Sequence, residues 1–344
     1  MEAERSARVA KWLSNTWGAQ SVDLSGWRKL SGGAIQENWA VDITVAGGAH
    51  DGRYGAVLRT DAPTPVGVSH SRPDEFRLLT AAADAGMTVP QPLALCEARD
   101  VIGAPFFVCT RVDGTAEGRK ITRDPNLAHF GPALAQQLGA ELARLHTIVP
   151  PRADLPFLRE PPHNVALSRV AWYRAELDRI GASEPALEWG LRWLERNAPE
   201  PAGIVLSHMD YRTGNYMVAE GALSAILDWE FAAWGDPRED VSWFCAKCWR
   251  FGAIEREAGG IAQRDDFLRG YNGAAARPVA PSEMLYWEVM ATVRWAVIAL
   301  DQGRRFYDHG EPSLELALTA TLVPGLSYDV LTYLGEPAGH GANL

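Results

Sequence analysis

Residues 206–218, LSHMDYRTGNYMV, set His208, Asp210 and Asn215 within eight positions among apolar neighbours. The run Gly203-Ile204-Val205-Leu206 that leads into them is strand-like, and so is Ala222 to Leu227, which ends in Asp228-Trp229-Glu230 thirteen residues after Asn215. Two short strands therefore deliver polar groups at their ends: His208, Asp210 and Asn215 from the first, Asp228 and Glu230 from the second. Burying such a cluster without partners is costly, and a divalent cation would resolve the repulsion. Transfer of a phosphoryl group from ATP needs this kind of set. One carboxylate orients the attacking hydroxyl and accepts its proton, while an amide oxygen and a second carboxylate hold Mg²⁺ against the triphosphate. On this reading Asp210 is the base, Asn215 and Asp228 are the metal ligands, His208 braces the loop, and Glu230 supports the metal or an outer water.

Working outward, the chain divides by pattern. Residues 1–20 read as an amphipathic helix with Val9, Trp12, Leu13 and Trp17 on one face. Strand-like stretches follow around 27–30, 38–45 and 54–60, with Ser31-Gly32-Gly33 joining the first two. A helix is expected from about Pro73 to Gly86, then two more strands in TVPQPLALCE and APFFVCTRV, where Pro90 and Pro92 suit an edge. One helix inserted among strands predicts an α+β lobe with an antiparallel sheet. After Asp113-Gly114 helical periodicity takes over, with Leu134, Leu138, Leu142 and Leu145 on one stripe. Residues 150–165 are Pro-rich and read as a loop, and further helices are expected over 165–180, 185–197, 237–250, 283–306 and 313–333. The predicted organisation is a first lobe over 1–111, a hinge over 107–114 and a helical lobe over 112–344.

HMDYRTGN resembles the H-x-D-x-x-x-x-N catalytic loop of the protein-kinase-like fold, and Asp228-Trp229-Glu230 stands where protein kinases carry D-F-G. No A-P-E element follows Asp228. Joined to ILDWE and GDPREDVSWF, the loop is similar to the aminoglycoside phosphotransferase and choline kinase family. The ending VRWAVIALDQGRRF is similar to bacterial phosphotransferase-like proteins and to the amino-terminal kinase-like part of some acyl-CoA dehydrogenases. The resemblance runs from about residue 25 to 310 and implies an α+β, protein-kinase-like two-lobed fold, with ATP and Mg²⁺ as cofactors. It also implies a nucleotide site in the first lobe. Ser31, Gly32 and Gly33 stand where a turn closes over the phosphates. Arg59 stands where the family carries Lys or, in some branches, Arg on a strand, with Glu75 as its helix partner; an Arg presents a permanently charged fork in place of a point charge. Cys109 and Arg111 stand in the hinge segment whose backbone reads the adenine.

Other features carry structure. Asp236, Pro237 and Glu239 read as a capping box. Asp240 stands where related kinases have an acid close to the catalytic loop. His146 lies on an apolar helix stripe and reads as a core histidine. Cys245-x-x-Cys248 reads as packing, since the four cysteines form no framework. With 344 residues, 47% hydrophobic and 22% charged, the composition is that of an ordinary globular chain of two lobes. A formal net charge of -10 argues against nucleic acid. Residues 201–344 hold 19 Asp and Glu against 11 Lys and Arg, which permits a cationic acceptor; Arg250, Arg294, Arg304 and Arg305 permit an acidic one. The 13 tryptophans, with Trp243, Trp249, Trp287 and Trp295 in the second lobe, line a pocket or fill the core. The N-terminus lacks a secretory pattern and no apolar run approaches the ~20 residues that span a bilayer, so no membrane partner and a cytoplasmic location are expected. The functional expectation is a kinase for a small-molecule hydroxyl, aminoglycoside-like or hydroxyacyl. A silent nucleotide-binding pseudokinase is the alternative, and a metal-dependent hydrolase is disfavoured by the Gly-Gly turn and Arg59.

Overall fold

The structure, a computed structural model, describes residues 2–30, 36–61, 69–308 and 310–335. The Ser31-Gly32-Gly33 turn lies outside the described residues. In chain order the elements are α1 (Glu2–Trp17), β1 (Ser21–Lys29), β2 (Gln36–Ala46), β3 (Gly52–Asp61), α2 (Arg72–Asp84), β4 (Pro92–Cys96) and β5 (Phe106–Thr110). They continue with α3 (Gly118–Thr122), α4 (Leu127–Leu145), α5 (Val165–Ile180), α6 (Pro185–Arg196), β6 (Val205–Ser207), β7 (Tyr216–Ala219), β8 (Ala222–Ile226), β9 (Ala233–Gly235) and α7 (Pro237–Cys245). The last are α8 (Arg264–Ala274), α9 (Met284–Tyr307), α10 (Leu314–Ala320) and α11 (Val323–Gly335). The chain splits into two compact units, residues 1–116 with 151–158 and 214–232, and residues 117–150 with 159–213 and 233–344.

The first unit is built on an antiparallel sheet of order β1-β2-β3-β5-β4. Pro92 sits on the edge strand, where its missing N–H costs no ladder bond. Alternating residues of β2 and β3, among them Val41, Ile43, Ala56 and Leu58, meet Val9 and Leu13 of α1 in one core. Each of the Val, Ile and Leu side chains among them, fully buried, contributes about 1.5–3 kcal/mol. Helix α2 begins at Ser71, whose hydroxyl accepts the Asp74 N–H, with Pro73 in the first turn. The β7–β8 hairpin belongs to this unit although the sequence sets it a hundred residues beyond β5. It is stitched there by Val218 and Thr115, which exchange bonds at 2.9 and 3.0 Å, and by Ile226, which donates to the Thr88 carbonyl at 2.8 Å. Gly114 permits the approach, because a Cβ there would meet the Val218 carbonyl oxygen at 2.5 Å.

The second unit is helical. Val289, Val293, Ala296 and Val297 of α9 pack with Tyr173, Leu177, Leu187, Leu191 and Val330 from the helices around it. Helices α4 and α8 cross at glycines: a Cβ on Gly270 would land on the Gln136 carbonyl. The short sheet β6–β9 carries the loop after Ser207.

The structure departs from the sequence reading in places. Helix α8, the short α3 and strand β9 were not expected; α8 holds two glycines and only Phe267, Leu268 and Tyr271 as its buried face. The 237–250 helix ends at Cys245 and continues as a 3-10 turn over Lys247–Trp249. The 313–333 helix is two helices, α10 and α11. The 22-residue stretch Leu314–Gly335, with a mean hydropathy of 1.2, is by length and composition alone apolar enough to cross a membrane, and 28% of its most apolar 18-residue window is buried. The sequence reading, which found no such run, is corrected on that point. The capping box of α7 is half made: Asp236 accepts the Arg238 N–H at 3.0 Å, but Glu239 turns to Arg169 at 2.9 Å.

Candidate active site

In the first unit Arg59 projects from β3 between two acids. Its Nη2 stands 2.9 Å from Glu75 Oε1 of α2 and 2.8 Å from Asp228 Oδ1, just after β8. Arg72 closes on the other oxygen of Glu75, so this buried carboxyl lies between two guanidinium groups. Burial pushes Glu75 upward, with Arg59 and Arg72 pulling it back. Burial also works against the charge on Arg59, but Glu75 and Asp228 outweigh it and raise its pKa. The arginine that the resemblance places on the phosphates is thus a fixed cation.

The hairpin brings two oxygen donors to one end. The Leu227 N–H donates to the Asn215 carbonyl at 2.8 Å, which sets Asn215 beside the residue that precedes Asp228. Asp228 has φ 69°, in the left-handed region where a non-glycine residue is strained, and such strain gathers at functional sites. An amide and a carboxylate suit Mg²⁺, which takes one or two carboxylates and completes its shell with phosphate oxygens and water. Among the described residues no group of three or more His, Cys, Asp or Glu is arranged to hold a metal by itself. Glu230 is occupied by another partner: its Oε2 accepts Gln36 Nε2 at 2.7 Å, and burial followed by the Asp228 charge pushes its carboxyl up to about 8. Arg111 donates its backbone N–H to the Gly55 carbonyl at 3.0 Å and its guanidinium to Asp42 at 3.0 Å. That N–H reaches a base only by breaking the ladder. The Cys109 thiol is buried beneath the sheet beside Val57, and burial raises it to about 12.

In the second unit the loop after β6 is held by its backbone. Asp240 of α7, fully buried, accepts the His208 N–H at 2.7 Å on Oδ2 and the Met209 N–H at 3.0 Å on Oδ1. Met209 has φ 65°, so a strained residue stands directly before Asp210. Burial alone would raise Asp240; bonds and charge from His146 and His208 outweigh it and hold the carboxyl below its usual range. His146 bridges Tyr271 Oη at 2.8 Å and Asp240 at 3.4 Å, a satisfied core histidine that braces the brace. His208 is fully buried, and its Nδ1 accepts the Asp210 N–H at 3.3 Å. It therefore shapes the loop. Asp210 Oδ1 accepts Trp243 Nε1 at 3.0 Å, and Arg212 Nε lies 3.0 and 3.1 Å from the two carboxylate oxygens. Arg212 lies over the Trp249 ring, 4.3 Å from its centroid. Cys245 and Cys248 are free thiols raised by burial, Cys248 to about 12, as packing residues are.

Sequence reasoning missed Arg212, Gln36 and Arg72, and it read Trp243 as pocket or core without seeing its bond to Asp210. Arg212 lies two residues after Asp210, and that spacing was its signal. Arg72 lies three residues before Glu75 on the same helix, a spacing that was equally a signal, whereas the Gln36–Glu230 and Trp243–Asp210 contacts are made across long stretches of chain.

Residues 26–281 match the family model described as the phosphotransferase enzyme family. The chain belongs to that family. Among curated proteins this phosphotransferase-family chain is 29% identical over 183 residues to acyl-CoA dehydrogenase family member 10 of Mus musculus, which covers 52% of the chain but only 17% of the relative. Among solved structures, a candidate aminoglycoside phosphotransferase of Ralstonia eutropha JMP134 superposes with a TM-score of 0.76 at 21% identity, covering 96% of this chain and 98% of that one. Aminoglycoside phosphotransferase APH(4)-Ia, in a ternary complex with AMP-PNP and hygromycin B, superposes at 0.59 and 16% identity, covering 96% and 99%. At those identities the likeness is one of fold. The protein-kinase-like α+β fold and the family expected from HMDYRTGN and ILDWE are both borne out.

Proposed function

We propose that the chain transfers the γ-phosphoryl group of ATP to a hydroxyl of a small molecule. The observation that carries this reading is the trio of Arg59, Glu75 and Asp228, a charged fork held ready at a strand end beside an oxygen ligand. Asp210 orients the acceptor hydroxyl and takes its proton as the new P–O bond forms, and the proton then leaves to solvent. Arg59 binds the α- and β-phosphates, Glu75 fixes its fork, and the Ser31-Gly32-Gly33 turn covers the phosphates. Backbone groups near Cys109 and Arg111 take the adenine, other than the Arg111 N–H, which the Gly55 carbonyl holds. Asn215 and Asp228 would hold Mg²⁺, which when bound neutralises charge on the triphosphate. His208 and Asp240 are positioning residues. Nucleotide binding by a family neighbour, seen with AMP-PNP, supports the choice of ATP. A cytoplasmic small-molecule kinase fits these roles.

The test is ATP consumption with Mg²⁺ over a panel of alcohols, with product phosphate located by mass spectrometry. Phosphorylated alcohol that vanishes in Asp210→Asn supports the proposal. Thermal stabilisation by ATP with no turnover on any alcohol replaces it with a silent nucleotide-binding module.

A further inference from the structure

Asp210 stands at one corner of an aromatic cluster within the second unit. Trp243, whose indole holds its Oδ1, lies 5.3 Å from Trp249, and Trp249 lies 4.7 Å from Trp295, centroid to centroid. Two guanidinium groups cap the cluster: Arg212 over Trp249 and Arg294 over Trp243, each 4.3 Å from the ring centroid. Arg212 is committed to Asp210. Arg294, half-buried on α9, has no carboxylate within ion-pair distance among the described residues; its polar surroundings include the Tyr173 hydroxyl, which burial raises to about 12 and so keeps neutral.

The other arginines that the sequence offered for an acidic acceptor are committed. Arg250 donates to the Cys245 and Ile254 carbonyls, Arg305 pairs with Glu311 and Arg304 with Asp308. The acids around the loop are committed too: Asp240 to His146 and two backbone amides, Glu239 to Arg169, Asp329 to Lys247, Glu257 and Glu288 to Arg264. Each of these acids is therefore already held by a partner within the protein. Arg212 holds Asp210 itself, and Arg294 lies over the ring of the Trp243 whose indole bonds it. An acceptor cation would also find the faces of Trp243 and Trp249 already taken by the protein's own cations.

We infer that the acceptor is a hydroxylated carboxylate, its hydroxyl at Asp210 and its carboxylate on Arg294, one indole away. The inference rests on the phosphotransferase reading and narrows it. A planar guanidinium binds a carboxylate through paired, charge-assisted hydrogen bonds, stronger than those of neutral groups. Arg294 then supplies binding and selectivity, and Asp210 the chemistry.

The experiment compares acceptors that share a skeleton and differ in charge: gluconate, glucose and glucosamine, and glycerate, glycerol and serinol, with kanamycin as a polycation. Wild-type protein with ATP and Mg²⁺ is expected to show its lowest KM on the carboxylates. Arg294→Gln should raise that KM roughly 10- to 100-fold, leaving kcat and the KM of the neutral members within about twofold, and Arg294→Lys should recover part of the loss. Calorimetric titration of gluconate and glucosamine reads the same preference without turnover. Phosphorylation that favours glucosamine or kanamycin, or a gluconate KM indifferent to Arg294→Gln, overturns the inference and leaves phosphoryl transfer standing. Absence of ATP consumption on every acceptor, with gluconate and glucosamine bound equally, removes both.

Discussion

Arg59 Nη2 stands 2.8 Å from Asp228 Oδ1, so the residue proposed to bind phosphate neutralises the residue proposed to bind metal. The same nitrogen holds Glu75, which is 2% exposed, at 2.9 Å. Arg59→Ala would leave Glu75 to Arg72 alone, so the loss of stability should stay below the about 3–5 kcal/mol that a wholly uncompensated buried charge costs. Chemical denaturation should show that loss, together with a raised KM for ATP. Arg59→Lys keeps the charge but loses the fork, so stability should fall less than in Arg59→Ala while the KM for ATP still rises.

Asp210→Asn keeps an oxygen for the Trp243 indole and removes the base. The variant gives up the Arg212 ion pair, so its melting temperature should fall slightly while it folds and binds ATP as before, and kcat should fall by about 10²–10⁴, the usual contribution of a positioned acid or base. Single-turnover kinetics separates that loss from a change in binding.

Asp240 sets a pH dependence. Its carboxyl lies below the ordinary value of 3.8, so its contribution to stability is complete above that pH and is lost as pH falls through the folded-state value. Asp240→Asn should flatten the acid limb of a stability curve measured from pH 6 downward. An amide accepts on one atom only, so one of the His208 and Met209 N–H groups is left unpaired at about 1–3 kcal/mol. A lowered kcat should follow from the loosened loop.

The β7–β8 turn contains a removable strain. Glu220 has φ 51° and Gly221 φ 78°, a two-residue turn with both residues left-handed, for which Asn-Gly is the favoured pair. Glu220 is exposed and bonds to nothing in the turn that Asn would lose. Glu220→Asn should stabilise the protein by roughly 0.5–1 kcal/mol, seen as a small rise in melting temperature with activity unchanged.

The residues that chemistry requires at fixed spacing were legible without coordinates. His208, Asp210, Asn215 and Asp228 stand in two short windows, and Arg59 with Glu75 stood out through a resemblance. The sheet was legible because β2 and β3 alternate and the proline of β4, Pro92, excludes a central place. Contacts across sequence were not. Trp243 reaches Asp210 from 33 positions away and Gln36 reaches Glu230 from 194, and no local pattern encodes either meeting. Helix α8 was hidden because Gly270, a poor helix former, is there for close approach to α4. The acidic excess of the second lobe was read from composition as a possible cation site, whereas the acids around the loop, Asp240, Glu239, Asp329, Glu257 and Glu288, are held by protein partners that composition does not record.

The first unit is assembled from three separate runs of chain, and this has a consequence during synthesis. The strand that carries Asp228 to Arg59 is encoded only up to residue 232, long after residue 116 has emerged. At 5–20 residues per second the interval is roughly 6 to 23 s. Throughout it the nascent five-stranded sheet holds Arg59 and Glu75 without their third member, so a fragment that stops at residue 116 would present that incomplete state to chaperones and proteases.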